Sequence, residues 1–500
     1  MSDQGKLSNC EVDKKLFLGI KKVYDVAKKF YGPRLIPSSL TFLEERGYSV
    51  LSHMTLEDPH ENAGADFAKA MANAIHKKHL DGATTGLILL YSILKESYVL
   101  INQGLSAYKL SLALQKKSSQ LLEHLHTYSW PVKDPKKIKD LVLTALRYPS
   151  IAENISSAVA AIGPSGCIST TRSYQIDLQV TQGIKIDFGY TSTYFISDPL
   201  SRTTTLSFPY ILILDQKISS IHRILLLLKE ISQNHKHLLI FCEDIDKDVL
   251  ATLIVNKLRK LLQVTVVTIP ELSTKRQNLA KDLALFTGTH VYSQDADLSM
   301  TMLGSCASAE ISETQTLLIY GQHVPEVLAL KIRQLDEEIR TTTSAEEKLA
   351  LLERKQRLQG SLALITTKEE TEPLYTLGLR LANSAKKHGY LPGGGVSLLY
   401  ASLSLDKDGL STEELAATHI LQTACRAPLE QLILNSQADC DVVINKLKSL
   451  ATASMGFNVL SQEIEDLIAG GVLDSLATIS TALSCATETA ITVFSSKVIT

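Results

Sequence analysis

Between Tyr210 and Ile269 the hydrophobic pattern switches period four times. Tyr210 to Leu214 is a short apolar run, 219–232 repeats at helical spacing, His237 to Cys242 is apolar again, 247–262 is helical, and Val264 to Ile269 is rich in β-branched residues. Strand, helix, strand, helix, strand in that order requires parallel strands joined by right-handed crossovers, hence an α/β domain around a parallel sheet. A dinucleotide site in such a domain needs a glycine-rich turn after a strand, where backbone amides can approach a pyrophosphate. The turn after Cys242 reads Glu243-Asp244-Ile245-Asp246, acidic and without glycine, so that reading fails.

The flanks of this segment obey a different period. Residues 10–30 set Leu16, Ile20, Val23, Ala27 and Phe30 on one helical face, and Gly32-Pro33 stops the helix. Two alternating runs between Ser38 and Met54 flank Glu44-Glu45-Arg46-Gly47, the pattern of a hairpin with a charged tip. Helical spacing then fills 59–79 and 84–102, with a break at Asp81-Gly82. Residues 325–360 read as a charged helical hairpin, a solvated arm whose second helix opens with Ser344 to Glu347 as a capping box. Past Gly393-Gly394-Gly395 the chain is helical to about 485 and closes on a strand-like Ile491-Thr492-Val493-Phe494. A helical domain made from both ends of the chain, enclosing an α/β segment, needs more than one core, and 500 residues suffice for several.

Composition excludes several classes. Fifty-one Lys and Arg against 53 Asp and Glu leave no field to draw nucleic acid or an anionic membrane. Seven scattered cysteines, with no Cys-x-x-Cys pair and no histidine at ligand spacing, argue for a reduced compartment and against zinc. Met1 to Lys6 hold no apolar signal core, and the apolar run Leu87 to Leu94 is cut by Lys95 and Glu96, so neither secretion nor a bilayer span is expected. A cytoplasmic protein is the expectation.

One turn carries candidate chemistry. Asp81-Gly82-Ala83-Thr84-Thr85-Gly86 lies between two helices, so free amides, two hydroxyls and the positive end of a helix dipole face one point. A phosphate fits there, and Asp81 could hold a Mg²⁺ bridging phosphates. The same residues also make a plain helix stop and N-cap.

Beyond single motifs, the sequence resembles a GroEL-type (group I) bacterial chaperonin along essentially its whole length. Gly32-Pro33, Leu56-Glu57-Asp58 with Glu61-Asn62-Ala63-Gly64-Ala65, the Asp81 to Thr85 turn, Gly393-Gly394-Gly395-Val396 and Leu473-Asp474 fall in that family's order and spacing. So do Gly189-Tyr190, Tyr194-Phe195, Lys217-Ile218-Ser219 and Leu250 to Asn256. The resemblance implies a multi-domain α and α/β chaperonin fold. Its parts would be a helical equatorial domain (1–128 and 388–500) for nucleotide and ring contacts, a small intermediate hinge (129–181 and 362–387), and an α/β apical domain (182–361) for substrate and co-chaperonin.

It further implies ATP with Mg²⁺, the metal on Asp81, in a pocket lined by Gly32, Pro33, Asp81, Gly82, Ala83, Thr84, Thr85, Gly394, Gly395, Asn458 and Asp474. Two catalytic carboxylates of the family are missing: Arg46 and Leu377 occupy their positions, and neither side chain can orient an attacking water. Phe30-Tyr31 replaces a Thr-Leu pair, Ala83 the first turn threonine and Glu45 the tip lysine. The family's apolar groove for non-native polypeptides and the loop of a GroES-type co-chaperonin maps onto Tyr190, Tyr194, Phe195, Leu225, Leu228, Leu250, Ile254 and Val255, all apolar here. Leu225 to Leu228 is a four-leucine run in one helix, so part of it is expected to face solvent.

Glu430 stands for an arginine that pairs between rings with an acid aligned to Asp439, which is expected to weaken ring stacking, and Phe188 stands for an interdomain arginine. The implied assembly is a homo-oligomeric ring, seven-fold by resemblance. Three readings of function follow. The first is a chaperone that binds non-native proteins with impaired ATP hydrolysis. The second is a working ATP-driven foldase using substitute acids such as Glu44 or Glu45. The third is a dedicated partner-binding protein.

Overall fold

The computed structural model describes residues 9–32, 51, 54–162, 167–172, 177–198, 202–270, 273–292, 298–322, 324–368, 370–406, 410–450 and 452–495. Pro33, the hairpin expected over 38–54 save Leu51 and Met54, and with it Glu44, Glu45 and Arg46, lie outside the described residues. The chain divides into two compact units, Met1–Ser157 with Glu369–Thr500, and Ala158–Lys368.

The first unit is helical, as the 3.6-residue periodicity demands. Its helices begin where the sequence supplies oxygen acceptors for orphan amides. The Asp58 carboxylate accepts from the amides of His60 (2.9 Å) and Glu61 (3.2 Å), and Pro59 opens the Pro59–His79 helix. Ser411 and Glu414 form a reciprocal capping box at the start of Thr412–Asn435. The Asn9–Ala27 and Pro59–His79 helices touch backbone to backbone, because Gly19 and Gly64 carry no side chain at the crossing.

At the centre lie Ala83–Asn102 and Leu476–Ser495. Both are long and apolar enough to cross a bilayer, yet Leu87, Leu89, Leu90, Leu483, Ala486 and Ala490 bury them in the common core of this unit. The expected strand at 491–494 is the last turn of the second of these helices. Val493 and Phe494 pack in the core, and tertiary burial overrides the β-propensity of the Ile-Thr-Val run. Strand character appears earlier, in the hairpin of β11 (Met455–Asn458) with β12 (Glu463–Asp466), and where β10 (Tyr390–Pro392) pairs with β13 (Leu473–Ser475).

Among the described residues the second unit holds a nine-stranded sheet. The expected parallel run is present: β4 (Tyr210–Ile213), β5 (His237–Cys242) and β6 (Gln263–Thr268) pair in parallel, with Leu225–Gln233 and Lys247–Leu258 as the intervening helices. The sheet as a whole is mixed, and the parallel run is one part of it. β7 (Gly304–Ile311) and β8 (Thr316–Gly321) form a hairpin that joins antiparallel to β4 and to β2 (Asp177–Ile186), and β9 (Ser361–Thr367) pairs parallel with β1 (Cys167–Arg172).

The acidic turn after β5 is a charge-paired corner. Lys217 reaches Asp244 (3.1 Å) and Asp246 (2.7 Å), while Arg276 bridges Asp215 and Glu243, both at 3.0 Å.

The charged hairpin, Pro325–Thr341 and Ala345–Gln359, is less of a free arm than its composition suggests. Leu328, Leu335 and Leu358 are buried together. Arg354 and Arg357 close on Asp282 of the Ser273–Thr287 helix at 2.8 and 2.9 Å. Of the capping box only one half is seen, Ser344 accepting from the Glu347 amide.

Candidate functional site

The turn at Asp81 joins two helices through two left-handed residues. Leu80 ends the Pro59–His79 helix in the left-handed region at φ 58°, and Gly82 begins Ala83–Asn102 at φ 81°. A side chain at Gly82 would strike Thr478 at 2.6 Å, so glycine is required on both counts. As N-cap, Gly82 offers no oxygen to the first-turn amides, unlike Asp58 or Ser106 at neighbouring helices.

Segments remote in sequence meet at this turn. Thr478 follows Asp474 by four residues, in the helix that succeeds β13, and Asp474 on β13 pairs with Leu391 on β10, two residues before Gly393. Gly32 (φ 104°) and Gly395 (φ 77°) both lie against the Pro428–Leu432 stretch of Thr412–Asn435. At Gly395 an added Cβ would meet the Leu429 amide at 3.0 Å, and at Gly32 the Leu432 side chain at 2.8 Å. Asp474 is desolvated and faces the Asp81 carboxylate; burial first, then that charge, push its carboxyl up to about 7. A desolvated acid beside a second acid, with no basic group among the described residues acting on it, is a donor set that a hard divalent cation would satisfy.

Some expected contacts are spent elsewhere. Asn458 closes its own hairpin, donating to Glu465 (2.5 Å) and accepting from the Leu460 amide (2.9 Å). Tyr31, which the sequence marks only as a substitution, places its hydroxyl 3.3 Å from Thr85 Oγ1. Leu377 is 1% exposed inside Glu372–His388. Arg380, one turn on, donates to the Lys77 carbonyl at 3.0 Å, so that face of the helix lies against Pro59–His79.

The apolar surface of the second unit forms a groove of about 390 Å³ between Leu225–Gln233 and Lys247–Leu258. Leu225, Leu228, Leu253, Leu261 and Leu262 line it on its apolar side, and Lys229, Ser232, Gln233, Thr252 and Asn256 on its polar side. The segment from Phe188 to Ile196 is tied to β6 by the Thr191 amide on the Val266 carbonyl (2.9 Å). It is tied to the Lys247–Leu258 helix by Lys257, which reaches the Phe195 carbonyl and stands 5.3 Å from that ring. Desolvation there pulls the Lys257 ammonium down to about 8.

The eight apolar positions do not form one exposed patch, which corrects the expectation. Tyr190 and Phe195 are buried in the unit's core and Leu228 is 7% exposed, because the 3.6-residue repeat turns Leu227, Leu228 and Ile231 inward. Leu225, Leu250 and Ile254 are half-buried, whereas Tyr194 and Val255 face solvent. Leu226, 72% exposed, together with Leu258 and Leu261 supplies apolar surface that the motif comparison passed over; the four-leucine run was the signal that one of them must point outward.

Phe188 packs on the same core and its carbonyl accepts from Thr316. Glu430 is paired within its own helix with Arg426, whose guanidinium also reaches Asp441 at 3.9 Å.

A model of the TCP-1/cpn60 chaperonin family matches residues 40–349 and 367–499. The chain belongs to this family. Chaperonin GroEL 3 of Protochlamydia amoebophila (strain UWE25) is 32% identical over 496 residues, which cover 95% of this chain and 93% of that one. Among solved structures, chaperonin gp146 from the bacteriophage EL 2 (Pseudomonas aeruginosa), crystallised in the presence of ATP-BeFx, matches over 96% of each chain. The TM-score is 0.76 at 15% identity in crystal form II and 0.69 at 16% in form I. The fold is thus a chaperonin fold, and the function is that of a chaperonin. Among the described residues no cluster of three or more metal-ligating side chains stands at the Asp81 turn or elsewhere.

Proposed function

We propose that this chaperonin captures non-native polypeptides in the groove between Leu225–Gln233 and Lys247–Leu258, and that it does so with slow or absent ATP turnover. The observation that carries the reading is the outward Leu226, Val255, Leu258 and Leu261 beside a trough whose apolar side is Leu225, Leu228, Leu253, Leu261 and Leu262. Such a surface on a folded unit favours extended apolar segments over any one folded partner. In this reading the equatorial, intermediate and apical domains have the boundaries expected from the resemblance. The assembly is a cytoplasmic ring, seven-fold by resemblance, and a GroES-type co-chaperonin competes for the same groove.

ATP and Mg²⁺ belong at the Asp81 cradle. The amides of the first turn and the Thr84 and Thr85 hydroxyls would hold phosphate, Asp81 the cation, and Asp474 with Gly32, Gly394 and Gly395 the rest of the nucleotide. When bound, the cation would neutralise phosphate charge. Leu377 can neither accept a proton nor hold a water in line, so binding is favoured over hydrolysis. Glu430, already paired with Arg426, presents less bare negative charge to a stacked ring than its sequence position suggests, so the loss of stacking is modest.

Two measurements on one purified sample test this. Suppression of aggregation of several unrelated denatured proteins is expected, alongside phosphate release far below that of an ordinary chaperonin. Capture of a single partner only would favour the dedicated binder, and multiple-turnover phosphate release would favour the working foldase.

A further inference from the structure

We propose that the Tyr31 phenol is the resident occupant of the phosphate cradle and must swing out before a polyphosphate can enter, so that this one side chain sets the nucleotide affinity of the site. The inference rests on the reading of the Asp81 turn as a nucleotide site.

The backbone at Tyr31 is held on both sides. Its carbonyl accepts from Asn435 Nδ2 at 2.7 Å, and the same amide group also donates to the Lys28 carbonyl at 2.8 Å. The Tyr31 amide donates to Lys28 at 3.3 Å, and Gly32 follows at φ 104° against Leu432. Only the side chain is free to move. It points at the first turn of Ala83–Asn102, where Thr85 Oγ1 donates to the phenol oxygen at 3.3 Å. Thr85 is a buried side chain, third in the helix, at the place where hydroxyl and amide would meet a phosphate. A hydroxyl has one proton to give, so Thr85 cannot serve the phenol and a phosphate oxygen together.

Burial above all, and then the Asp474 and Asp81 charges, keep the phenol neutral. The competition is therefore between an internal and an external ligand for the Thr85 hydroxyl. Apparent affinity falls to the intrinsic affinity multiplied by the fraction of molecules in which the ring has left.

The test is Mg-ADP binding by calorimetry to the full chain, its Tyr31→Leu variant and its Tyr31→Phe variant, each checked for native circular dichroism. ADP keeps hydrolysis out of the readout. Tyr31→Leu is expected to bind about tenfold more tightly than the parent, since both the ring and its hydrogen bond are gone. Tyr31→Phe, which keeps the ring, should gain roughly two- to fivefold. If Tyr31→Leu does not fold, the Phe variant decides alone. Equal or weaker binding by the folded variants overturns the proposal and makes Tyr31 a bystander or a nucleotide contact. Absence of binding by all three at millimolar ADP overturns the nucleotide site itself, and the gate with it.

Discussion

Two leucines two residues apart in the groove helix separate binding from folding. Leu226 is 72% exposed and Leu228 7%. Complete burial of an exposed leucine is worth about 1.5–3 kcal/mol, so the exposed share of Leu226 offers a client about 1–2 kcal/mol. Leu226→Ser should then weaken capture of an unfolded polypeptide roughly five- to thirtyfold while stability stays within about 0.5 kcal/mol. Leu228 sits in the core of its unit, where truncation removes transfer energy and leaves a cavity, at a cost of about 2–5 kcal/mol. Leu228→Ser should lower the urea midpoint before it reveals anything about clients. The assay is fluorescence anisotropy of a labelled, permanently unfolded protein titrated with each variant, beside urea denaturation of the same samples. A Leu226→Ser protein that binds within twofold of the parent would refute the assignment of this helix's outward face, beside the groove, to client binding.

Other outcomes follow from packing and charge. At Gly19 a Cβ would stand 1.9 Å from the Glu61 carbonyl oxygen; Gly19→Ala should force the two helices apart and lower stability by about 1–3 kcal/mol or more, read from thermal unfolding. Asp282 is 2% exposed between Arg354 and Arg357; Asp282→Asn leaves two guanidinium groups short of a partner, should cost about 3–5 kcal/mol, and should open the 325–359 hairpin to limited proteolysis. Lys257 titrates near 8 in the folded chain against an ordinary 10.5, so between those values the unfolded chain holds the extra proton and stability rises with pH. That rise, followed by urea midpoints from pH 7.5 to 10, should be shallower in Lys257→Met than in the parent. Leu377→Asp, the obvious attempt to restore a catalytic acid, buries a carboxylate and should cost about 2–5 kcal/mol by urea denaturation without restoring phosphate release.

Much of the fold was legible because burial imposes a period on the chain. The helices at 59–79 and 83–102 and the parallel strands β4, β5 and β6 lie where the apolar spacing put them. Elsewhere the pattern misled. Ile491 to Phe494 carries the composition of a strand, but a helix that is buried on most sides selects for bulk apolar residues and pays little heed to β-branching. The antiparallel β7–β8 hairpin, Gly304–Ile311 with Thr316–Gly321, has polar residues scattered through it and gave no clean alternation to read. The hairpin at 325–359 looked free because its charges were counted as solvated, when two of them, Arg354 and Arg357, face one buried acid 72 and 75 residues upstream.

The site was legible to the degree that its chemistry lies in the backbone. Glycines at positive φ, such as Gly82 and Gly395, and an aspartate before a helix start are visible as letters, since no other residue serves there. Which side chains fill the space between those fixed points is a matter of three-dimensional neighbours. Tyr31 and Thr85 are 54 residues apart, and nothing in either local sequence says that one donates to the other. The leucine run shows the same division. Four leucines in a row declare that some must be exposed, but only the direction from which the sheet approaches decides that Leu226 is the one. Composition therefore points to a surface and a turn, whereas packing decides what stands beside each: a groove left open in one unit, and in the other a helix start whose Thr85 donates to a phenol.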